Sequence, residues 1–218
     1  MARILSLLVP FCLLLLATAS RPSPSSASDD ATTTTTTTSE FVRTWCAGTG
    51  YPTLCAATLS PYSTTVGTSL AKLAWAALTV TLSATRNATS TMKSMASSGH
   101  TNLPPVAAQA AGDCASMLGD GADSLRRCVD AMARVAAAEK EKEMTGRMVR
   151  FEVDNVRTWA SAALTDADMC VEGFRGAAAG GEGGGVREVV KGHVMGVVHL
   201  TSNALAIVDA MSKQTPTP

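Results

Sequence analysis

The histidines and carboxylates of this 218-residue chain are the first candidates for chemistry. His193 and His199 are six positions apart in a segment with helical periodicity, so they lie on roughly opposite sides of a helix and do not converge on one metal ion. Asp113, Asp120 and Asp123 have no base, nucleophile or metal partner at a suitable spacing. Nucleophile elbows, phosphate loops and dinucleotide fingerprints do not occur in the sequence. The sequence therefore predicts a protein that is not an enzyme and has no cofactor or metal.

The cysteines have spacings that suit disulfides. Cys46 and Cys55 flank two glycines and a proline, which supply the backbone conformations of a tight reversal and the first turn of a new helix. Residues 41–62 are therefore predicted to form a helical hairpin closed by a Cys46–Cys55 disulfide. On the chain-entropy model, a loop of this size contributes about 2.5–3 kcal/mol of stability.

The amino terminus predicts the compartment in which the cysteines fold. Residues 1–19 contain an early arginine, an apolar run and small residues before Ala19, which is typical of a secretory signal peptide cleaved there. The apolar run is shorter than a typical transmembrane helix. Cleavage removes Cys12, and the remaining odd number of cysteines predicts two disulfides with one free thiol, or one intermolecular bond.

Both ends of the mature chain are polar. Residues 20–39 are rich in serine and proline and then in threonine, and this composition predicts a disordered linker because it cannot bury an apolar core. Residues 213–218 are predicted to be a polar tail without a lipid-anchor signal. The formal net charge of +0 gives no reason to expect nucleic acid or an anionic membrane as a partner.

The segments between these ends indicate an all-α fold. Aromatic residues make up 4% of the chain and alanines are frequent, which favours closely packed helices over sheets. A glycine-rich stretch at 176–185 is predicted to be a flexible loop. The prediction is an antiparallel four-helix bundle preceded by the short hairpin. Its four segments with helical periodicity run from Thr64 to Ser98, from Pro104 towards Gly146, from Met148 through Phe151 to Phe174, and from Val186 to Met211.

A second disulfide has two candidate pairings on spacing alone. Cys114 lies in the second segment and Cys170 near the end of the third, so a bridge between them would tie neighbouring helices and contribute about 4 kcal/mol. Cys128 follows Cys114 by fourteen residues and is either the alternative partner of Cys170 or a buried free thiol.

Four blocks of this sequence resemble those of plant invertase and pectin methylesterase inhibitors. In order they cover the chain from about Glu40 to Met211, and the inhibitor domain is accordingly expected at residues 40–212. The blocks are Cys46 to Cys55 with Thr49-Gly50-Tyr51-Pro52; Asp113-Cys114 followed by Asp120, Asp123 and Leu125; Trp159 to Thr165 followed by Cys170 and Phe174; and Leu200 to Ala206.

The resemblance implies a secreted four-helix bundle with disulfides Cys46–Cys55 and Cys114–Cys170 and with Cys128 unpaired. It implies a location in the apoplast or cell wall. It also implies inhibition of pectin methylesterase or acid invertase through a non-covalent, stoichiometric complex. In the pectin methylesterase case, the resemblance implies that the bundle helices cover the pectin-binding cleft of the enzyme.

The sequence departs from the family pattern at a few positions. Leu118 stands where the family usually has tyrosine, Met169 stands where it often has threonine, and Cys128 is additional. The Pro-Lys-Phe tripeptide associated with invertase inhibitors does not occur in the chain. Pectin methylesterase is therefore the favoured target. The alternatives are acid invertase, of the cell wall or vacuole, and a non-inhibitory secreted interaction domain with the same bundle.

One sequon is a candidate for modification. Asn87-Ala88-Thr89 lies in the first predicted helix of the bundle and matches the acceptor pattern for N-linked glycans. Secretion would favour modification of Asn87, whereas its place in the middle of a helix weighs against it. The residues that contact the target enzyme and the oligomeric state do not follow from the sequence.

Overall fold

The computed structural model describes residues 27–97, 103–141, 143–179 and 185–214. The predicted signal peptide lies outside these residues. In the part of the chain that is described, the secondary structure is helical and contains no strand. The α-helices are α1 (Ala27–Ala47), α2 (Pro52–Leu59), α3 (Ser63–Val66), α4 (Leu70–Ala96), α5 (Pro105–Glu141), α6 (Gly146–Glu172) and α7 (Gly185–Gln214).

The four long helices form the predicted bundle. Helix α4 packs against α5 and α7, and α6 packs against the same two helices, so each long helix has two neighbours. The pairs are antiparallel, since Ser69 before α4 bonds Glu139 near the end of α5, and Arg134 late in α5 bonds Glu152 early in α6. The all-α four-helix bundle with a preceding hairpin is confirmed.

Small side chains let the helices approach closely. Alanine and valine supply most of the buried residues, and Phe174 is the largest fully buried side chain. In α4 three buried threonines, Thr81, Thr85 and Thr89, donate their hydroxyl hydrogens to the carbonyl oxygens four residues earlier, each at 2.8 Å. Because these hydroxyls are satisfied within their own helix, threonine can occupy core positions without the free energy penalty of an unpaired polar group.

Helix α4 begins later than the sequence predicts. The expected start was Thr64, but α3 ends at Val66 and Gly67 follows with a φ of 59°, a conformation that favours glycine. The Ser69 side chain then accepts a hydrogen bond from the backbone N–H of Lys72, which caps α4. The positive φ breaks the helix, and the cap starts the next one.

Helix α1 begins within the stretch predicted to be a disordered linker. The structure places residues 27–39 in α1, so the prediction differs from it there, while residues 20–26 lie outside the described part. Thr38, Val42 and Cys46 are buried at intervals of four residues, so one side of the helix packs against the rest of the protein. Burial of that side from Thr38 onwards favours the helix there, although threonine has a modest helix propensity.

The carboxyl-terminal third differs from the predictions in two details. Residues 176–179 form a short 3₁₀ turn with Ala178 buried, where a flexible loop was predicted for 176–185. Helix α7 includes Lys213 and Gln214 of the predicted tail. By length and composition α7 could also span a membrane, but half of its most apolar window is buried in the bundle, so packing accounts for its apolar side.

Candidate interaction surface

The hairpin is closed as predicted. Cys46 at the end of α1 and Cys55 in α2 form a disulfide with a Cα–Cα distance of 5.4 Å. Pro52 occupies the first turn of α2, and the hydroxyl of Thr49 donates to the carbonyl of Cys46 at 2.8 Å within the turn. The chain reversal is therefore fixed by one covalent bond and by local hydrogen bonds.

One side chain of α7 makes two hydrogen bonds to the tip of this hairpin. The backbone N–H of Tyr51 donates to Oδ1 of Asn203 at 2.9 Å, and Nδ2 of Asn203 donates to the carbonyl of Tyr51 at 3.0 Å. The ring of Tyr51 stacks on His199 with a centroid distance of 3.8 Å. Gly50 also lies beside α7, where a Cβ would be in ordinary contact with Oγ of Ser202, at 3.5 Å. Two of the sequence blocks, the hairpin and the last helix, thus meet in space.

The second disulfide joins Cys114 of α5 to Cys170 of α6, with a Cα–Cα distance of 4.5 Å. The alternative bridge between Cys128 and Cys170 is therefore wrong. Cys128 is a buried free thiol whose Sγ donates to the carbonyl of Val156 at 3.5 Å. Burial raises the pKa of the Cys128 thiol to about 12, and the positive charge of Arg127 offsets this only in part. Since the thiolate is the reactive form, this thiol is inert at neutral pH.

The two histidines of α7 differ in exposure. His193 is exposed, whereas His199 is partly buried under Tyr51. Among the described residues, no group of three metal-ligating side chains comes together.

A carboxylate of α6, Asp166, lies near those of α5, and the sequence pattern does not predict this. Asp113, Asp120 and Asp123 are exposed, and Asp123 forms a surface ion pair with Arg126 at 3.6 Å. Asp166 of α6 approaches α5 over Gly121, where a Cβ would lie 3.6 Å from Oδ2 of Asp166. Burial and, secondarily, the negative charge of Asp120 raise the pKa of Asp166. The close contact between α5 and α6 therefore contains two like charges.

Helix α6 exposes apolar side chains on its outer surface. The exposed fractions are 66% for Phe151, 54% for Met169 and 50% for Met148. The helical periodicity of the sequence predicts that Met148 and Phe151 pack in the core. Both side chains are exposed, so that prediction is wrong. Phe151 and Met169 are five turns apart and project in the same direction, about 27 Å from one another. We call the exposed row between them the α6 stripe: Phe151, Thr158, Ala162, Thr165 and Met169.

Charged and aromatic groups flank the α6 stripe. On the α5 side, the guanidinium of Arg127 lies 5.5 Å from the ring centroid of Trp159, in a cation–π contact. On the α7 side, Arg157 donates to Asp209 at 2.6 Å, and this bond raises the pKa of the guanidinium. An apolar and small central row with a charged rim is a common arrangement of protein interfaces.

The opposite side of the bundle is occupied or polar. The hairpin lies on it, because α2 contacts both α4 and α7. Asn87 is exposed on α4, where the outer residues are polar. The outer surfaces of α5 and α6, which we call the α5/α6 face, are therefore the broad side of the bundle that the hairpin leaves uncovered.

A model of one protein family matches this chain. The family is described as plant invertase/pectin methylesterase inhibitor, and the match extends over residues 40–207. The chain belongs to this family. The inhibitor-family blocks recognised in the sequence now have positions: two form the contact between hairpin and α7, and two form the disulfide-linked pair α5 and α6.

Individual relatives of this inhibitor-family chain are moderately similar. The 21 kDa protein of Daucus carota is 35% identical over 171 residues, which are 78% of this chain and 83% of that protein. Pectinesterase inhibitor 10 of Arabidopsis thaliana is 34% identical over 78% of this chain and 50% of its own length. Pectinesterase inhibitor 3 of the same plant is 32% identical over 82% of each chain.

Proposed function

We propose that this protein is a secreted, non-enzymatic inhibitor of a pectin methylesterase in the plant cell wall. The observation that carries the proposal is the family match over residues 40–207, together with relatives that are named pectinesterase inhibitors. The signal-peptide pattern of residues 1–19 and the two disulfides support passage through an oxidising, secretory compartment.

The inhibitor acts by forming a non-covalent, one-to-one complex that covers the substrate cleft of the enzyme. A rigid surface suits this role because less conformational freedom is lost on binding, and more of the interface energy remains as affinity. Rigidity here comes from the bundle, from the two disulfides and from the double hydrogen bond between Asn203 and Tyr51.

The α5/α6 face is the docking face in this proposal. The α6 stripe presents Phe151 and Met169 at its ends, and large exposed apolar side chains commonly anchor interfaces when they are buried by a partner. Threonine and alanine between them leave a shallow row that a protein surface can approach closely. The charged rim supplied by Arg127 and Arg157 favours orientation of the partner during encounter.

The first experiment titrates the oxidised mature chain against pectin methylesterase and against acid invertase at mildly acidic pH. We expect loss of pectin methylesterase activity at a one-to-one molar ratio and unchanged invertase activity. Loss of invertase activity instead would assign the alternative target. A count of one free thiol per denatured chain would prove that both disulfides had formed. If such a chain inhibited neither enzyme, it would be a non-inhibitory domain with the same bundle.

The docking face is tested with charge substitutions in the α6 stripe. Phe151→Glu and Met169→Glu should each weaken inhibition at least about tenfold, which corresponds to about 1.4 kcal/mol of binding free energy. Val189→Glu is the matched control, because Val189 is an exposed apolar residue, 53% accessible, at the start of α7. Equal inhibition by all three variants and the parent would contradict docking through this face.

A further inference from the structure

We propose that Asn87 carries an N-linked glycan that is attached before α4 folds, and that the outer side of α4 remains uncovered when the inhibitor binds its target. The inference rests on the secretion assumed in the proposed function. Beyond the proposed function, it assigns a modification site at Asn87 and excludes the outer side of α4 from the interface with the target enzyme.

The site has room for a glycan. Asn87 is exposed in the middle of α4, and the exposed residues around it are polar, namely Ser83, Arg86, Ser90 and Ser94. In the described part of the chain, the side chain of Asn87 makes no hydrogen bond that a glycan would break. Among the residues that the structure describes, the large exposed apolar ones lie elsewhere, on the hairpin tip and on α5, α6 and α7. A sugar on this side would displace no packing.

The folded helix separates the two halves of the acceptor. Positions i and i+2 of an α-helix point in directions about 200° apart, so the amide of Asn87 and the hydroxyl of Thr89 face opposite sides. Thr89 is 8% exposed, and its hydroxyl donates to the carbonyl of Thr85 at 2.8 Å. An enzyme that recognises the asparagine amide and the threonine hydroxyl together cannot bind both in α4. Transfer must therefore occur on the unfolded chain.

The chemical step is a substitution at an anomeric carbon. The donor is an oligosaccharide linked to a lipid diphosphate. The bond from its anomeric carbon to the diphosphate oxygen breaks, a bond from that carbon to Nδ2 of Asn87 forms, the amide loses one proton and the lipid diphosphate leaves. When α4 then folds, Thr89 becomes buried and Asn87 with its glycan stays outside.

The test expresses the full chain in plant cells and maps the secreted protein by peptide mass spectrometry before and after enzymatic removal of N-glycans. We expect a glycan on the peptide that contains Asn87, with conversion of Asn87 to aspartate on removal. Thr89→Ser keeps the acceptor and should keep the glycan. Asn87→Gln and Thr89→Val should both lose it, and valine fills the buried site with a side chain of similar shape.

The order of events is tested with purified, unglycosylated chain offered to microsomal membranes. The reduced and unfolded chain should accept a glycan at Asn87, whereas the oxidised, folded chain should not. Equal modification of the folded chain would overturn the inference that attachment precedes folding.

The uncovered side of α4 is tested by comparing inhibition. The glycosylated parent and Asn87→Gln should inhibit with about equal potency. If loss of the glycan increased inhibitory potency about tenfold, α4 would lie in the interface, and the inference that its outer side stays uncovered would be overturned. A secreted, inhibitory chain with unmodified Asn87 would overturn the glycan proposal and leave the proposed function intact. A chain retained in the cytosol without a glycan would overturn both.

Discussion

At the scale of single residues, Asn203 joins the tip of the hairpin to α7. It is buried, with 3% of its surface exposed, and its amide satisfies both backbone groups of Tyr51. An asparagine is suited to this role because its side chain carries one acceptor and one donor side by side. Without it, the N–H of Tyr51 would lose its partner, whereas the carbonyl of Tyr51 would keep the hydrogen bond from the N–H of Cys55.

Asn203→Ala should therefore destabilise the folded protein by about 1–3 kcal/mol, because two hydrogen bonds are lost and each contributes about 0.5–1.5 kcal/mol. The hairpin should also become more accessible to proteases. Urea unfolding and limited proteolysis measure the two effects, with His193→Ala as the control because His193 is exposed on the same helix. The assignment would be refuted by equal unfolding midpoints for the two variants.

At the scale of secondary-structure elements, the contact between α5 and α6 combines close packing with charge repulsion. Gly121 of α5 lies against Ala163 and Asp166 of α6, and the disulfide from Cys114 to Cys170 holds the same two helices together. Asp166 is placed there next to Asp120, and the pKa of Asp166 is raised by burial first and by that neighbouring charge second. A carboxyl group whose pKa is raised on folding binds its proton more tightly in the folded state than in the unfolded state.

Protonated Asp166 therefore adds to the free energy of unfolding. This contribution is full below the pKa of the unfolded state, about 3.9, and is lost as the pH rises through the higher pKa of the folded state. Asp166→Asn should raise the melting temperature at pH 7, because the neutral amide avoids both burial of charge and repulsion. The gain should shrink as the pH falls towards 3.9.

Melting curves across this pH range measure the effect of Asp166→Asn. Asp168→Asn on the exposed side of α6 removes the same charge outside the contact and serves as the control. A gain that is independent of pH would argue against the raised pKa as its cause.

At the scale of the whole molecule, the two disulfides tie different parts together. The Cys46–Cys55 bridge closes the local hairpin, and its cysteines are separated by 9 positions in the sequence. The Cys114–Cys170 bridge closes a longer loop between α5 and α6, with a separation of 56. On the chain-entropy model the longer loop restricts the unfolded chain more and contributes more stability.

Replacing Cys114 and Cys170 together by alanine should lower the free energy of unfolding by about 4 kcal/mol, measured by urea denaturation of the oxidised protein. Cys128→Ala is the control, because it removes a buried cysteine without removing a crosslink. If the double variant lost no more stability than the control, the crosslink would not be the source of stability.

The sequence by itself determined the features that depend on local patterns. Helical periodicity predicted the bundle, the spacing of Cys46 and Cys55 around glycines and a proline predicted the hairpin, and four short blocks indicated the family. These signals are readable because a turn, a helix face or a short loop involves residues that are near one another in the chain.

Only the tertiary structure decided the features that depend on how helices are set against each other. It brought Asn203 to Tyr51 and placed Asp166 beside Asp120. It also confirmed the bridge from Cys114 to Cys170, which the family resemblance implies but the cysteine spacing alone leaves open. It also turned Phe151 outwards, although its position in an apolar periodic segment had predicted packing. The rotation and axial shift of each helix come from the summed packing of many small side chains across the core, and no local pattern of residues encodes that sum.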